Sequence, residues 1–124
     1  MRHDGCGPVP AERVEKPWGY EIIWAHTDRY AGKILHVRAG HRLSLQFHTR
    51  KVETMRVLSG LLELEVQEDG QPPRTVRLAA GEGWHLPAGV RHRTAAVEDT
   101  VILEVSSPEL DDLVRVADDH GRLP

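Results

Sequence analysis

Residues 40–53 read GHRLSLQFHTRKVE, and the character of the whole chain turns on how that stretch is folded. Written as a strand over residues 42–48, it places Arg42, Ser44, Gln46 and His48 on one face and Leu43, Leu45 and Phe47 on the other, because successive side chains of a strand point to opposite faces. Glu53 opens the next apolar run. A second segment, GEGWHLPAGVRH at residues 81–92, ends on His92 just after a Pro-Ala-Gly-Val turn. An amide oxygen, two imidazoles and a carboxylate converging on a point suit a borderline divalent ion. We therefore expect Gln46, His48, Glu53 and His92 to hold one metal ion.

Outward from these segments the chain is a series of short β-like runs broken by turn residues. Runs are expected at 20–25, 33–38, 42–48, 53–58, 61–67, 75–78, 84–86, 92–97 and 100–105. Ala39-Gly40, Ser59-Gly60, Asp69-Gly70, Ala80-Gly81 and Ala88-Gly89 separate several of them. Many short strands at even spacing indicate an all-β sandwich or barrel, and Asp69-Gly70 marks a hairpin. Only residues 107–113 change character. Ser107 as a cap, Pro108 in a first helical position and acids behind it predict a short C-terminal helix.

The rest of the composition narrows the function. With 124 residues the chain can build one modest core. Its 16 Lys and Arg against 19 Asp and Glu are scattered, a pattern that argues against nucleic acid and membrane surfaces as partners. No apolar run approaches the ~20 residues of a membrane span, and Cys6, the only cysteine, excludes an internal disulfide. A reducing, cytoplasmic setting is the expectation. Residues 1–16, rich in Gly, Pro and charge, read as a flexible N-terminal arm, with the folded domain at 17–124.

Taken together, Gly40-x5-Gln46-x-His48-x4-Glu53-x6-Gly60 and Gly81-x5-Pro87-x-Gly89-x2-His92 resemble the two cupin motifs in order. This resemblance implies a single-domain cupin, a double-stranded β-helix or jelly-roll barrel. Gln46, where many cupins carry His, makes the set resemble that of the phosphomannose isomerases, whose ligands are of these types. The nearest likeness is to the isomerase domain ending the bifunctional mannose-6-phosphate isomerase/mannose-1-phosphate guanylyltransferases. It extends through Pro17-Trp18-Gly19-Tyr20-Glu21, Arg42-Leu43-Ser44-Leu45-Gln46 and Asp112-Leu113-Val114-Arg115 to Asp118-Asp119-His120-Gly121-Arg122. Departures are Ala96 for an asparagine, Lys51 for an arginine, Thr54-Met55 for His-Trp, and His120 for a tyrosine.

What the resemblance implies is a metal-dependent sugar-phosphate isomerase, interconverting an aldose and a ketose of mannose 6-phosphate or a related sugar. Zinc is the ion it implies, while Mn, Fe and Ni also accept mixed N and O ligands. Lys33, which matches a lysine of those domains, and His85, beside the second motif, are the candidates for the catalytic base or enediolate stabiliser. Arg42, on the ligand face, is the first candidate for a phosphate, with Lys51 and Arg93 behind it and Arg115 and Arg122 further back. Trp18, Trp24 and Trp84 are assigned to core or interface, and Met55 to the pocket floor. The outward row Leu43, Leu45, Phe47 calls for cover, and a homodimer would supply it, with a covering strand of the same chain as the alternative. An Fe(II)-dependent oxygenase and a non-catalytic sugar-binding cupin are the competing readings.

Overall fold

A computed structural model describes residues 3–123. Eleven strands follow one another: β1 (Glu12–Lys16), β2 (Gly19–His26), β3 (Ala31–Val37), β4 (Leu45–Phe47), β5 (Glu53–Ser59), β6 (Leu61–Gln67), β7 (Arg74–Ala79), β8 (Gly83–Leu86), β9 (Arg91–Ala96), β10 (Thr100–Ser106) and β11 (Val114–Ala117). They form a six-stranded sheet, β1-β2-β3-β10-β5-β8, and a five-stranded sheet, β11-β4-β9-β6-β7. All pairings are antiparallel. The architecture is all-β.

Local sequence accounts for the strands. In β6, Leu62, Leu64 and Val66 are buried while the residues between them are half-exposed, and in β5 Glu53, Met55 and Val57 alternate with exposed neighbours. That period of two lets each sheet turn one side inward. The inward rows meet as a core that includes Val57, Leu62, Leu64, Leu86 and Ile102. Each such side chain contributes about 1.5–3 kcal/mol by leaving water. The tight link between β5 and β6 requires Gly60, whose φ is +95° and where a Cβ would lie 2.3 Å from the Asp99 carbonyl oxygen.

Several expectations change. No helix occurs among the described residues. Residues 107–113 form turns instead, because the Asp112 carboxylate, expected in a first helical turn, accepts the backbone N–H groups of Arg50 and Lys51 from across the fold. The chain then continues as β11 beside β4. Within the segment read as an arm, Glu12–Lys16 is strand β1 in register with β2, Arg13 facing Ile22 and Glu15 facing Tyr20.

The third change concerns residues 42–48. Arg42 makes only an isolated bridge to Ala95, and the regular strand begins at Leu45. The pleat slips between them, so Leu43 packs against the core. The predicted outward row of Leu43, Leu45 and Phe47 does not form, and exposed apolar side chains lie elsewhere, among them Trp24, Leu58 and Val105 on the six-stranded sheet. Trp18 is buried in the core with Trp84 packed against it, and Met55 belongs to that core rather than to the cavity lining.

Candidate metal site and its cavity

Three elements deliver the cluster. His48 follows β4, Glu53 opens β5 and His92 lies on β9, where its backbone is paired with Gln46. His48, Glu53 and His92 are all buried, and one ligand atom from each lies within 4.8 Å of the others. His48 Nε2 is 3.5 Å from one Glu53 oxygen and His92 Nε2 is 3.5 Å from the other.

The tautomers follow from the outer partners. His48 Nδ1 meets the Asp112 carbonyl and His92 Nδ1 meets the Val90 carbonyl. A carbonyl oxygen only accepts, so each Nδ1 carries the proton and each Nε2 presents a lone pair. Both Nε2 atoms are buried without a hydrogen-bond partner. Burial lowers the pKa of His92 despite Glu53 nearby, which keeps that ring neutral. Burial also opposes ionisation of Glu53, but its polar surroundings, with the Lys51 ammonium 3.0 Å away, outweigh it and hold the carboxyl well below its ordinary range. Two lone pairs and a carboxylate thus face one another in a buried space, a donor set that a divalent cation satisfies.

Gln46 lines the same cavity. Its Oε1 accepts the Ser44 hydroxyl at 2.7 Å, and a carbonyl oxygen has a second lone pair to offer. The cavity holds about 360 Å³, with His48 and Glu53 in its wall and Trp18, Leu35, Leu43 and Leu113 as its apolar part.

The other predicted site residues separate into two groups. Lys33 and Lys51 line the cavity, each engaged by acids: Lys33 Nζ is 3.4 Å from Glu21, and Lys51 Nζ is 3.0 Å from Glu53 and 3.2 Å from Glu104. Arg42, Arg93 and His85 do not line it. Arg42 and Arg93 both bind Asp119, at 2.9 Å and 3.1 Å, and Arg93 also donates to the Leu43 carbonyl. His85 is exposed beside Thr54, its register partner on β5, at 2.9 Å. The reason is the pleat: Met55 and His92 point inward, so Thr54 with His85, and Arg93, point out.

Asp112, one of the acids behind Pro108, organises the rim. Its carboxylate accepts from the Thr49 hydroxyl and the N–H groups of Thr49, Arg50 and Lys51, and its carbonyl orients His48. The Thr49 hydroxyl, followed by backbone donors of Lys51 and Arg50, depresses its pKa far below the ordinary 3.8. A carboxyl lowered in the folded state binds its proton more readily when unfolded. Its stabilisation is therefore complete above the ordinary value and fades as pH falls toward and through the folded one. Denaturant titrations of Asp112→Asn should show a flatter loss of stability than the parent between about pH 5 and pH 2; parallel curves would remove Asp112 from this role.

Comparison with known proteins adds the context of the site. Residues 10–118 match the family model described as mannose-6-phosphate isomerase C-terminal. The chain is 33% identical over 116 residues to mannose-1-phosphate guanylyltransferase of Escherichia coli, covering 89% of this chain and 23% of that protein. It is 30% identical over 115 residues to xanthan biosynthesis protein XanB of Xanthomonas campestris, covering 89% and 24%. It thus spans under a quarter of the length of these relatives. Among solved structures, KdgF from Halomonas sp. superposes with a TM-score of 0.70 at 24% identity, covering 82% of this chain and 91% of that one. Oxalate decarboxylase from Bacillus subtilis superposes with a TM-score of 0.77 at 12% identity, covering 93% and 34%. These structures share the fold, which is that of the cupins.

Proposed function

The chain belongs to the mannose-6-phosphate isomerase C-terminal family, and from that premise we propose that it is a metal-dependent isomerase that interconverts an aldose and a ketose, with mannose 6-phosphate or a related sugar as substrate. The observation that carries the reading is the pair of buried, unpartnered Nε2 lone pairs facing Glu53 beside a sugar-sized cavity.

In this reading Gln46, His48, Glu53 and His92 hold one divalent ion, zinc first and Mn, Fe or Ni as alternatives. When bound, the ion supplies Lewis acidity that makes the C–H next to a sugar carbonyl more acidic. The residues around it complete the chemistry. Glu21 is buried in the cavity wall and is outside the ligand set, so its carboxylate is the acceptor for the proton that leaves carbon. Lys33, against Glu21, donates from Nζ to the oxygen on which negative charge develops. Leu35, Leu43 and Trp18 exclude water from that wall.

Two departures from the family pattern beside Glu53 fall off the cavity, Thr54 being exposed and Met55 in the core, while Lys51, in place of an arginine, keeps a cation in the cavity wall. They remove no group from the space where a sugar would sit. This favours turnover over a purely binding role.

Elemental analysis followed by assay of mannose 6-phosphate and other aldose and ketose phosphates tests the reading. We expect about one metal per chain, as the one cluster found among the described residues demands, and turnover that Glu21→Gln reduces by roughly 100-fold or more while metal content stays level. Bound metal without turnover of any sugar would replace the isomerase by a sugar-binding cupin. Turnover that needed iron and dioxygen would replace it by an oxygenase.

A further inference from the structure

We propose that Arg115 is the anion receptor of the cavity, gripping the phosphate or carboxylate group of the sugar whose other end faces His48 and Glu53. The inference rests on the sugar ligand proposed above and adds the class of that ligand and the residue that selects it.

Charge pairing along the cavity wall singles Arg115 out. Lys33 and Lys16 share Glu21, Lys51 sits between Glu53 and Glu104, and Arg122 is held by both oxygens of Asp118. Those cations are neutralised by acids of the fold. Arg115 lines the same cavity with no hydrogen-bond or ion-pair partner among the described residues, and its Nε is buried. A buried guanidinium N–H without an acceptor is costly, and an oxyanion matched to its planar fork removes that cost. Asp111, the acid of the cavity rim without a cation, is exposed and not bonded to it.

Register places this free cation relative to the metal cluster. Arg115 on β11 pairs with Gln46 on β4, and Gln46 pairs with His92 on β9. Residues directly opposite on neighbouring strands point to the same face, so Arg115, Gln46 and His92 form one inward row. Two strand spacings separate its ends, roughly 10 Å along the backbone. The arginine side chain spans part of that distance. What remains suits a short sugar with its reacting end at the cluster and a single anionic group at the other.

A neutral sugar leaves Arg115 unpaired, so discrimination should depend on the charge. Binding of mannose 6-phosphate, mannose, mannuronate and inorganic phosphate to the purified protein, to Arg115→Gln and to Arg115→Lys is measured by titration calorimetry, with metal content and thermal unfolding recorded for each. We expect Arg115→Gln to weaken mannose 6-phosphate by about 10- to 100-fold and to leave mannose within about twofold. Arg115→Lys should fall between, because it keeps the charge without the fork. If Arg115→Gln is unfolded, Arg115→Lys against the parent decides by the same contrast between charged and neutral sugar.

Equal weakening of mannose 6-phosphate and mannose, or unchanged affinity for both, would overturn the assignment, as would the absence of any anion binding by the parent protein. Binding of mannuronate but not mannose 6-phosphate, lost in Arg115→Gln, would keep Arg115 as the receptor and make a sugar acid the ligand. The readout is affinity rather than turnover. An inactive protein whose phosphate selectivity still depends on Arg115 would refute the isomerase and leave this inference standing.

Discussion

His48→Ala and His92→Ala proteins are expected to purify folded and nearly free of metal, with affinity reduced by at least about 100-fold, since even the outer partners of metal ligands are worth 10–100-fold. Each substitution removes one of two Nε2 lone pairs that have no partner in the protein and that approach the Glu53 carboxylate at 3.5 Å. Three converging donors become two, and Gln46 offers only the lone pair that Ser44 leaves free. The barrel should survive, because its core of Leu62, Leu64, Val57 and Ile102 is built from other residues. A loss of about 1–3 kcal/mol in unfolding free energy is the expected range for the space and partners removed. Elemental analysis and circular dichroism of the same preparations check both halves. Full metal retention by both variants would refute the ligand set.

Lys51→Met should be the most destabilising single substitution around the cavity, at roughly 3–5 kcal/mol, the cost of breaking a buried ion pair from one side. Burial works against the Lys51 charge, yet Glu104 and Glu53 outweigh it and hold the ammonium above its ordinary pKa. Glu104 is pushed the other way, above the ordinary carboxyl range, first by burial and then by the charge of Glu53. The lysine is therefore the cation that lets two buried acids stand side by side on β5 and β10, and without it they repel in a medium of low polarity. Urea unfolding measures the loss. Lys51→Met combined with Glu104→Leu should recover much of it, since replacing a buried pair by apolar groups is often neutral. A single variant as stable as the parent would mean that the acids are solvated or protonated without cost.

Lys51, a substrate candidate in the sequence, lines the cavity already paired with Glu53 and Glu104, and that pairing shows where sequence reading reaches its limit. Strand positions were legible because burial on one face imposes a period of two on neighbouring residues, as in Leu62, Leu64 and Val66. His48 and Glu53 were legible because the elements bearing them are adjacent, and His92 because a fixed turn precedes it. Arg42 was misplaced for a local reason too: the alternation counted back from Gln46 assumed an unbroken strand, and only an isolated bridge exists at Arg42. The predicted helix at residues 107–113 had sound capping signals, but the Asp112 carboxylate finds stronger use binding the backbone at residues 49–51.

By itself the sequence determined that this is an all-β cupin with a buried cluster of nitrogen and oxygen donors, since hydrophobic periodicity and motif spacing are properties of contiguous residues. Only the tertiary structure decided which charges face the cavity and which are already matched. Arg42, Arg93, Arg115 and Arg122 are alike in sequence, each a cation on or near a strand. They differ because Asp119 takes the first two outside the cavity, Asp118 holds the last, and the pairing of β11 with β4 carries Arg115 to the inward row with no acid opposite. Charge matching between strands distant in sequence depends on register across a sheet, a long-range property that no local pattern encodes.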